Sequence, residues 1–88
     1  MYMEKRLTEL LPGDQAVISR IELATGEMVR LQDMGLSEGI MIRVVRYAPL
    51  GDPVEIKFRG FHLSIRKAIA KHIVVAESVK VADEFVAV

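Results

Sequence analysis

The sequence predicts an all-β domain, a small SH3-like barrel of about five antiparallel strands with short flanking helices. Three observations lead to this fold class. Apolar and polar residues alternate in short runs, the connections between the runs are short, and 88 residues leave room for one domain. Because an open sheet of this size would expose its edges, we expect the strands to close into a barrel.

Five segments carry the strand pattern. In the most regular one, apolar Val54, Ile56 and Phe58 alternate with charged residues, which is typical of a strand with one buried face. The predicted strands are 15–22, 40–47, 54–59, 61–66 and 73–75. The residues expected in the core are Val17, Leu31, Ile42, Val54, Ile56, Phe58, Leu63 and Ile73, with Phe61 on the same buried phase.

Short helical segments flank these strands. Thr25 is expected to cap a helix that ends near Gly35, a residue suited to a left-handed position after a helix. A single helical turn is predicted at 66–71, before the last strand. Near the N-terminus, Thr8 is expected to cap a short turn. The longer helix has one apolar face, formed at three-residue steps by Met28, Leu31 and Met34.

The segment from Tyr47 to Pro53 (YAPLGDP) predicts a well-determined turn between two strands. It contains two prolines, a glycine and an aspartate, each of which restricts the backbone or favours turn conformations. Such a loop suits a connection of fixed angle, and a preordered loop also loses less freedom on binding. Leu50 at its centre has no strand phase that could bury it, so we expect this side chain to be exposed.

Composition bounds the compartment and the chemistry. The chain has no cysteine, which excludes disulfides, thiolate metal ligands and thiol catalysis. No apolar run reaches the roughly 18–20 residues of a membrane span, and the N-terminus lacks the apolar stretch of a signal peptide. We therefore expect a cytoplasmic protein without direct membrane insertion. Its expected organisation is one domain at 1–76 and a C-terminal tail of unknown conformation at 77–88.

The charges cancel overall but are unevenly distributed. Residues 43–71 carry seven basic and two acidic side chains, whereas 1–42 carry four basic and seven acidic ones. A basic middle can meet an acidic partner. Small barrels also bind nucleic acids through exposed aromatic and basic side chains, and Tyr47 is the aromatic residue expected to be available for this. Because the net charge is zero, a nucleic-acid-binding barrel is the alternative and not the main hypothesis.

The sequence predicts no catalytic residue, resident metal or cofactor. The only histidines, His62 and His72, lie ten residues apart, with no carboxylate at ligand spacing. Neither histidine lies in a recognisable catalytic motif, and the motifs of phosphate-binding loops and dinucleotide-binding folds are absent from the sequence. We therefore expect a protein that is not an enzyme.

Four segments, in order, resemble the ferrous iron transport protein A (FeoA) family of bacteria and archaea. They are LTELLPG at 7–13, RLQDMGLSEG at 30–39, APLGDP at 48–53 and GFHLSIR at 60–66. The resemblance extends over about residues 7–76. It implies an SH3-like barrel in the cytoplasm that supports FeoB, a membrane ferrous iron transporter with a G-protein domain, by protein–protein contact.

This resemblance and the residue pattern together suggest a contact surface of five residues. Pro49 and Leu50 at the loop tip, with Tyr47 at its base, would form an apolar contact. Lys57 and Arg59, on the predicted outward phase of the adjoining strand, would add charge. Direct carriage of iron is a third possibility, and it would require a stoichiometric ferrous site.

Overall fold

The computed structural model describes residues 2–78 and shows one antiparallel sheet of six strands. The strands are β1 (Tyr2–Arg6), β2 (Gln15–Ile21), β3 (Met41–Tyr47), β4 (Val54–Phe58), β5 (Phe61–Ile65) and β6 (Ile73–Ser78). The helices are α1 (Thr25–Asp33) and α2 (Lys67–Ala70), and a 3-10 turn spans Leu7–Glu9. The strands lie in the order β1-β6-β2-β3-β4-β5. The predicted small all-β fold with short helices is confirmed.

Strand β1 has no counterpart in the prediction. Its segment YMEKR is mostly polar and its side chains are largely exposed, so it lacks the alternation that marks a half-buried strand. It is held by backbone pairing with β6, from Tyr2 opposite Ser78 to Arg6 opposite Val74. Strand β6 therefore runs past the expected domain boundary at residue 76. The rest of the expected tail, residues 79–88, lies outside the described residues.

The sheet is open, so the expectation that it closes into a barrel is wrong. Strand β6 pairs with both β1 and β2, which places β1 at one edge, while β5 forms the other edge. Beside β5 lies helix α1. Leu31 and Met34 of the helical segment line the same cavity as Leu63 and Ile65 of the strand. The helix and this edge strand thus face each other across the cavity.

The core lies on one face of the sheet and beneath α1 and the 3-10 turn. Of the residues expected there, Leu31, Ile42, Val54, Ile56, Phe58 and Ile73 are buried. Val17 is only half-buried, because β2 directs Ala16 and Ile18 inward and has an irregular register between Ile18 and Arg20. Leu63 is half-buried but packs against the core.

Phe61 was expected in the core and is instead 67% exposed. It begins the edge strand β5, so its ring has a neighbouring strand on one side only. It packs against Phe58, with the ring centroids 6.3 Å apart. The alternation was thus correct for β5, but the position at the end of an edge strand leaves this ring uncovered.

Helix α1 begins with Thr25 as its first residue and Ala24 as its N-cap, one position earlier than predicted. It ends at Asp33 with Met34 as C-cap, and Gly35 follows as expected, with a φ of +96° in the left-handed region. A Cβ built at Gly35 would lie 3.3 Å from Cε2 of Phe58. The glycine therefore allows the left-handed conformation after the helix, and it also allows the backbone to lie close to Phe58 in the core. No helix within residues 2–78 is long and apolar enough to span a bilayer.

Candidate partner-contact surface

The loop between β3 and β4 projects Leu50 into solvent. This side chain is 97% exposed, as expected, and Pro49 beside it is also exposed. The tip is a tight turn, in which the Gly51 amide donates to the Ala48 carbonyl at 2.6 Å. The Ala48 amide donates to the Pro53 carbonyl at 3.0 Å and closes the base. The peptide bond between Asp52 and Pro53 is cis.

Helix α2 holds this loop from the side. The Asp52 carboxylate accepts a hydrogen bond from the backbone amide of Lys67 at 3.0 Å, which satisfies one of the free amides at the start of α2. The Lys67 ammonium lies 5.6 Å from the ring centroid of Tyr47, within the range of a cation–π contact. The first contact ties the loop to α2, and the second ties α2 to the base of the loop.

Tyr47 anchors the base of the loop and is not an open platform. Its hydroxyl donates to the Leu10 carbonyl at 2.6 Å and lies 3.3 Å from the Thr8 carbonyl. Its side chain is half-buried, and this burial raises the pKa of the phenol. Tyr47 was expected to be an exposed aromatic residue on which a nucleic-acid base could stack. In the structure it is instead an anchored, half-buried residue.

Lys57 and Arg59 occupy different environments. Lys57 is exposed on β4, whereas Arg59 lies beyond the strand, in the two-residue turn that joins β4 to β5. Arg59 has a φ of 50° and Gly60 a φ of 83°, as in a type I′ hairpin turn. The expectation that both basic residues share the outward phase of one strand is thus wrong for Arg59.

The five expected contact residues do not form one continuous surface. Val54, at the loop end of β4, pairs with Tyr47, and Phe58, at the other end, pairs with Phe61. The five residues of β4 correspond to about 16 Å at the usual strand rise of roughly 3.3 Å per residue. Leu50 and Arg59 are therefore separated by the length of the strand.

The sequence interpretation missed the contribution of Asp52 and Lys67. The sequence does contain a signal for this contact. Arg66 and Lys67, at the start of the predicted helical turn, have no side-chain oxygen that could accept a hydrogen bond from the backbone amides there. Such a short helix needs an acceptor from elsewhere in the chain. The nearest loop aspartate by topology is Asp52, since β4 and β5 bring the loop and α2 to the same end of the sheet.

The histidines do not meet. His62 is exposed on β5, and His72 is half-buried between α2 and β6, where its backbone amide donates to Ile69 and its carbonyl accepts from Glu22. Within residues 2–78, no group of three or more His, Asp or Glu side chains is placed to hold a metal ion.

Comparison with known proteins gives a consistent result. The model of the FeoA domain family matches residues 5–77. A protein of Porphyromonas gingivalis described as an Fe(2+) transport protein A/Fe(2+) transporter FeoB fusion protein is 43% identical over 68 residues, which are 77% of this chain and 8% of that protein. A putative Fe(2+) transport protein A of Methanocaldococcus jannaschii is 29% identical over 66 residues, covering 75% of this chain and 78% of that protein.

Solved structures show the same fold. The solution structure of an FeoA protein from Chlorobium tepidum superimposes with a TM-score of 0.80 at 36% identity, covering 85% of this chain and 71% of that one. A manganese-dependent transcriptional repressor has a TM-score of 0.77 at 19% identity, covering 89% of this chain and 44% of the repressor, so this likeness concerns the fold alone. With a family match across most of its length, the chain belongs to the FeoA domain family.

Proposed function

We propose that this chain is a non-enzymatic, cytoplasmic accessory protein of ferrous iron uptake that acts by contact with the transporter FeoB. The observation that carries the proposal is the relative from Porphyromonas gingivalis, in which transport protein A and FeoB are fused. Two domains in one chain meet at a high effective concentration, which favours pairs that work in contact. This chain spans 8% of that fusion protein, and the partner we propose for it corresponds to the transporter part.

The loop tip is the feature best suited to such a contact. A single exposed leucine is common on protein surfaces. Leu50, however, lies on a turn with one hydrogen bond at its tip and another at its base, and Asp52 ties this turn to α2. A preordered apolar side chain loses little conformational freedom when it enters a pocket. We therefore take Leu50, with Pro49, as the anchor, and expect the partner to offer a small apolar pocket.

The test is the affinity of the purified G-protein domain of the transporter for this protein. We expect Leu50→Asp to weaken binding at least tenfold, because apolar anchors typically dominate interfaces. Lys57→Glu and Arg59→Glu should each have a smaller effect, about threefold, which fades at high salt as the charges are screened. Isothermal titration calorimetry at two salt concentrations gives both quantities.

A matched control is Val29→Asp. This residue is 47% exposed on α1, and Val and Asp have similar helix propensities, so the substitution adds the same charge to another exposed apolar position. It should leave the affinity unchanged. Undiminished binding by a folded Leu50→Asp variant would make the loop a connector only, and absence of binding by the unsubstituted protein would contradict contact with this domain of the transporter.

A further inference from the structure

Four polar side chains form a line across the outer face of the sheet. Gln15 of β2 is opposite Arg43 of β3, Arg43 is opposite Lys57 of β4, and Lys57 is opposite His62 of β5. Residues in direct cross-strand register point to the same side of a sheet, and all four are exposed. We call this line the basic row. At the usual strand spacing of about 4.8 Å, it is roughly 14 Å long.

The basic row has no acidic member. Like charges placed directly opposite each other on neighbouring strands destabilise a sheet, and proteins usually offset them with nearby carboxylates. The ion pairs within residues 2–78 are elsewhere, and the carboxylate nearest along β4, Glu55, is engaged by Arg46 at 2.5 Å. The row is therefore a set of donors that no carboxylate of the described chain pairs with.

A shallow cavity lies beside the row. Its volume is about 260 Å³, and Arg43, Lys57 and His62 line it together with Val45 and the backbone of Gly13. Val45 is 37% exposed and adds an apolar contact next to the charged groups. The site thus combines a line of hydrogen-bond donors with a recess into which a partner side chain can enter.

We propose that the basic row binds an acidic α-helix of a partner protein, laid across the strands. Successive turns of a helix are about 5.4 Å apart, close to the strand spacing of about 4.8 Å, so carboxylates at positions i, i+4 and i+7 face successive members of the row. An acidic strand fits less well, because its same-face residues are about 6.7 Å apart. A row of about 14 Å accommodates roughly nine helical residues.

An anionic membrane surface is the less favoured occupant. Glu55 lies on the same outward phase of β4 as Lys57, so a flat anionic surface on this face would meet a carboxylate as well as the row. A bilayer would contact the whole face, whereas a helix contacts one line of it. This inference does not depend on FeoB being the partner, and the row shares Lys57 but not Leu50 with the contact proposed for FeoB.

Two stapled helical peptides of 14 residues, identical in composition, test the proposal. The patterned peptide carries three Glu at i, i+4 and i+7, and the control peptide carries them at i, i+5 and i+6, where they point about 100° or more apart around the helix. We expect fluorescence anisotropy to show at least fivefold tighter binding of the patterned peptide at low salt. Because single exposed ion pairs contribute little, Arg43→Gln and Lys57→Gln should each weaken it by about threefold.

Lys71→Gln serves as the control variant, since it removes the same charge from an exposed position at the end of α2. It should leave peptide binding unchanged. The proposal would be overturned by any of three results. These are equal affinity for both peptides, equal loss of binding in Lys71→Gln and Lys57→Gln, and no binding at millimolar peptide. Binding to phosphatidylglycerol vesicles that the row variants remove, without a preference between peptides, would assign the row to a membrane surface instead.

Discussion

Arg59 occupies a backbone conformation that its side chain does not favour. Its φ of 50° lies in the left-handed region, where a residue with a Cβ is strained by roughly 1–2 kcal/mol. Type I′ turns are usually Asn-Gly or Asp-Gly, because Asn and Asp tolerate this region better. The Arg-Gly pair therefore retains a charge at the hairpin tip at some cost in stability.

Arg59→Asn should stabilise the domain by about 1 kcal/mol, since it relieves this strain and leaves the turn type unchanged. Urea unfolding followed by circular dichroism measures the difference. Lys57→Asn, at an extended position of β4, is the control and should not stabilise. A loss of stability in Arg59→Asn would mean that the arginine side chain makes contacts that outweigh its backbone strain.

At the scale of elements, the edge strand β1 is tied to the sheet by a cluster of charges that passes over β6. Arg6 and Glu4 of β1 reach Glu22 and Arg20 at the end of β2, although β6 lies between the two strands. Ser19 also donates to Glu4 at 2.9 Å. The side chains of Ala76 and Val74, which lie between them on β6, are small enough to permit this crossing.

These contacts make the attachment of β1 dependent on pH. Hydrogen bonds from Arg6 and Arg20 lower the pKa of Glu22 from its ordinary value of 4.5 to about 2, and Arg20 and Ser19 lower the pKa of Glu4. A carboxyl group whose pKa is lower in the folded state contributes stability above its unfolded pKa. It loses that contribution as the pH falls through the folded pKa.

We therefore expect Glu22→Gln to be less stable than the unsubstituted protein at pH 6, with the difference disappearing between about pH 4.5 and pH 2. Urea unfolding over this range measures it, and amide exchange should show the loss first in β1. Glu38→Gln, which removes an exposed carboxylate from a turn outside the cluster, is the control. A difference that is constant from pH 6 to pH 2 would contradict the assigned role of the carboxylate.

At the scale of the whole molecule, Phe58 connects the sheet to the helical layer. It is 4% exposed, it lies against Gly35 at the end of α1, and it contacts Phe61 at the edge. Removing its ring would leave a cavity between the sheet and the end of the helix.

Phe58→Ala should cost roughly 3–5 kcal/mol of folding free energy, as large-to-small changes in a core do. Chemical denaturation with a two-state fit provides the value. Phe61→Ala is the natural comparison, because the same ring is lost at an exposed position, and it should cost much less. A loss below about 1 kcal/mol in Phe58→Ala would contradict the register in which Val54, Ile56 and Phe58 point inward.

Most of the fold was predictable from local pattern, and the misses have physical causes. Strands β2 to β6 carry apolar residues at regular or nearly regular spacing, whereas β1 is held by backbone pairing that leaves no apolar signature. Val17 was expected in the core, but β2 directs Ala16 and Ile18 inward before its register shift and Ile21 inward after it. Such shifts depend on the partner strand and are not visible in a single segment.

The candidate surface was predictable only in part. Exposure of Leu50 followed from its place between Pro49 and Gly51 in a turn. The anchoring of Tyr47 to the Leu10 carbonyl joins residues 37 apart in sequence, and the separation of Leu50 from Arg59 depends on which end of β4 each occupies. Both are consequences of topology.

The most direct test of the account is ferrous iron uptake in cells that lack the gene for this protein and are complemented with variants. Contact with the transporter predicts that Leu50→Asp, expressed at a normal level, fails to restore uptake of radioactive ferrous iron under anaerobic conditions, whereas the histidine variant His72→Ala restores it. Restoration by Leu50→Asp together with loss in the folded histidine variant would contradict the account and support direct carriage of iron.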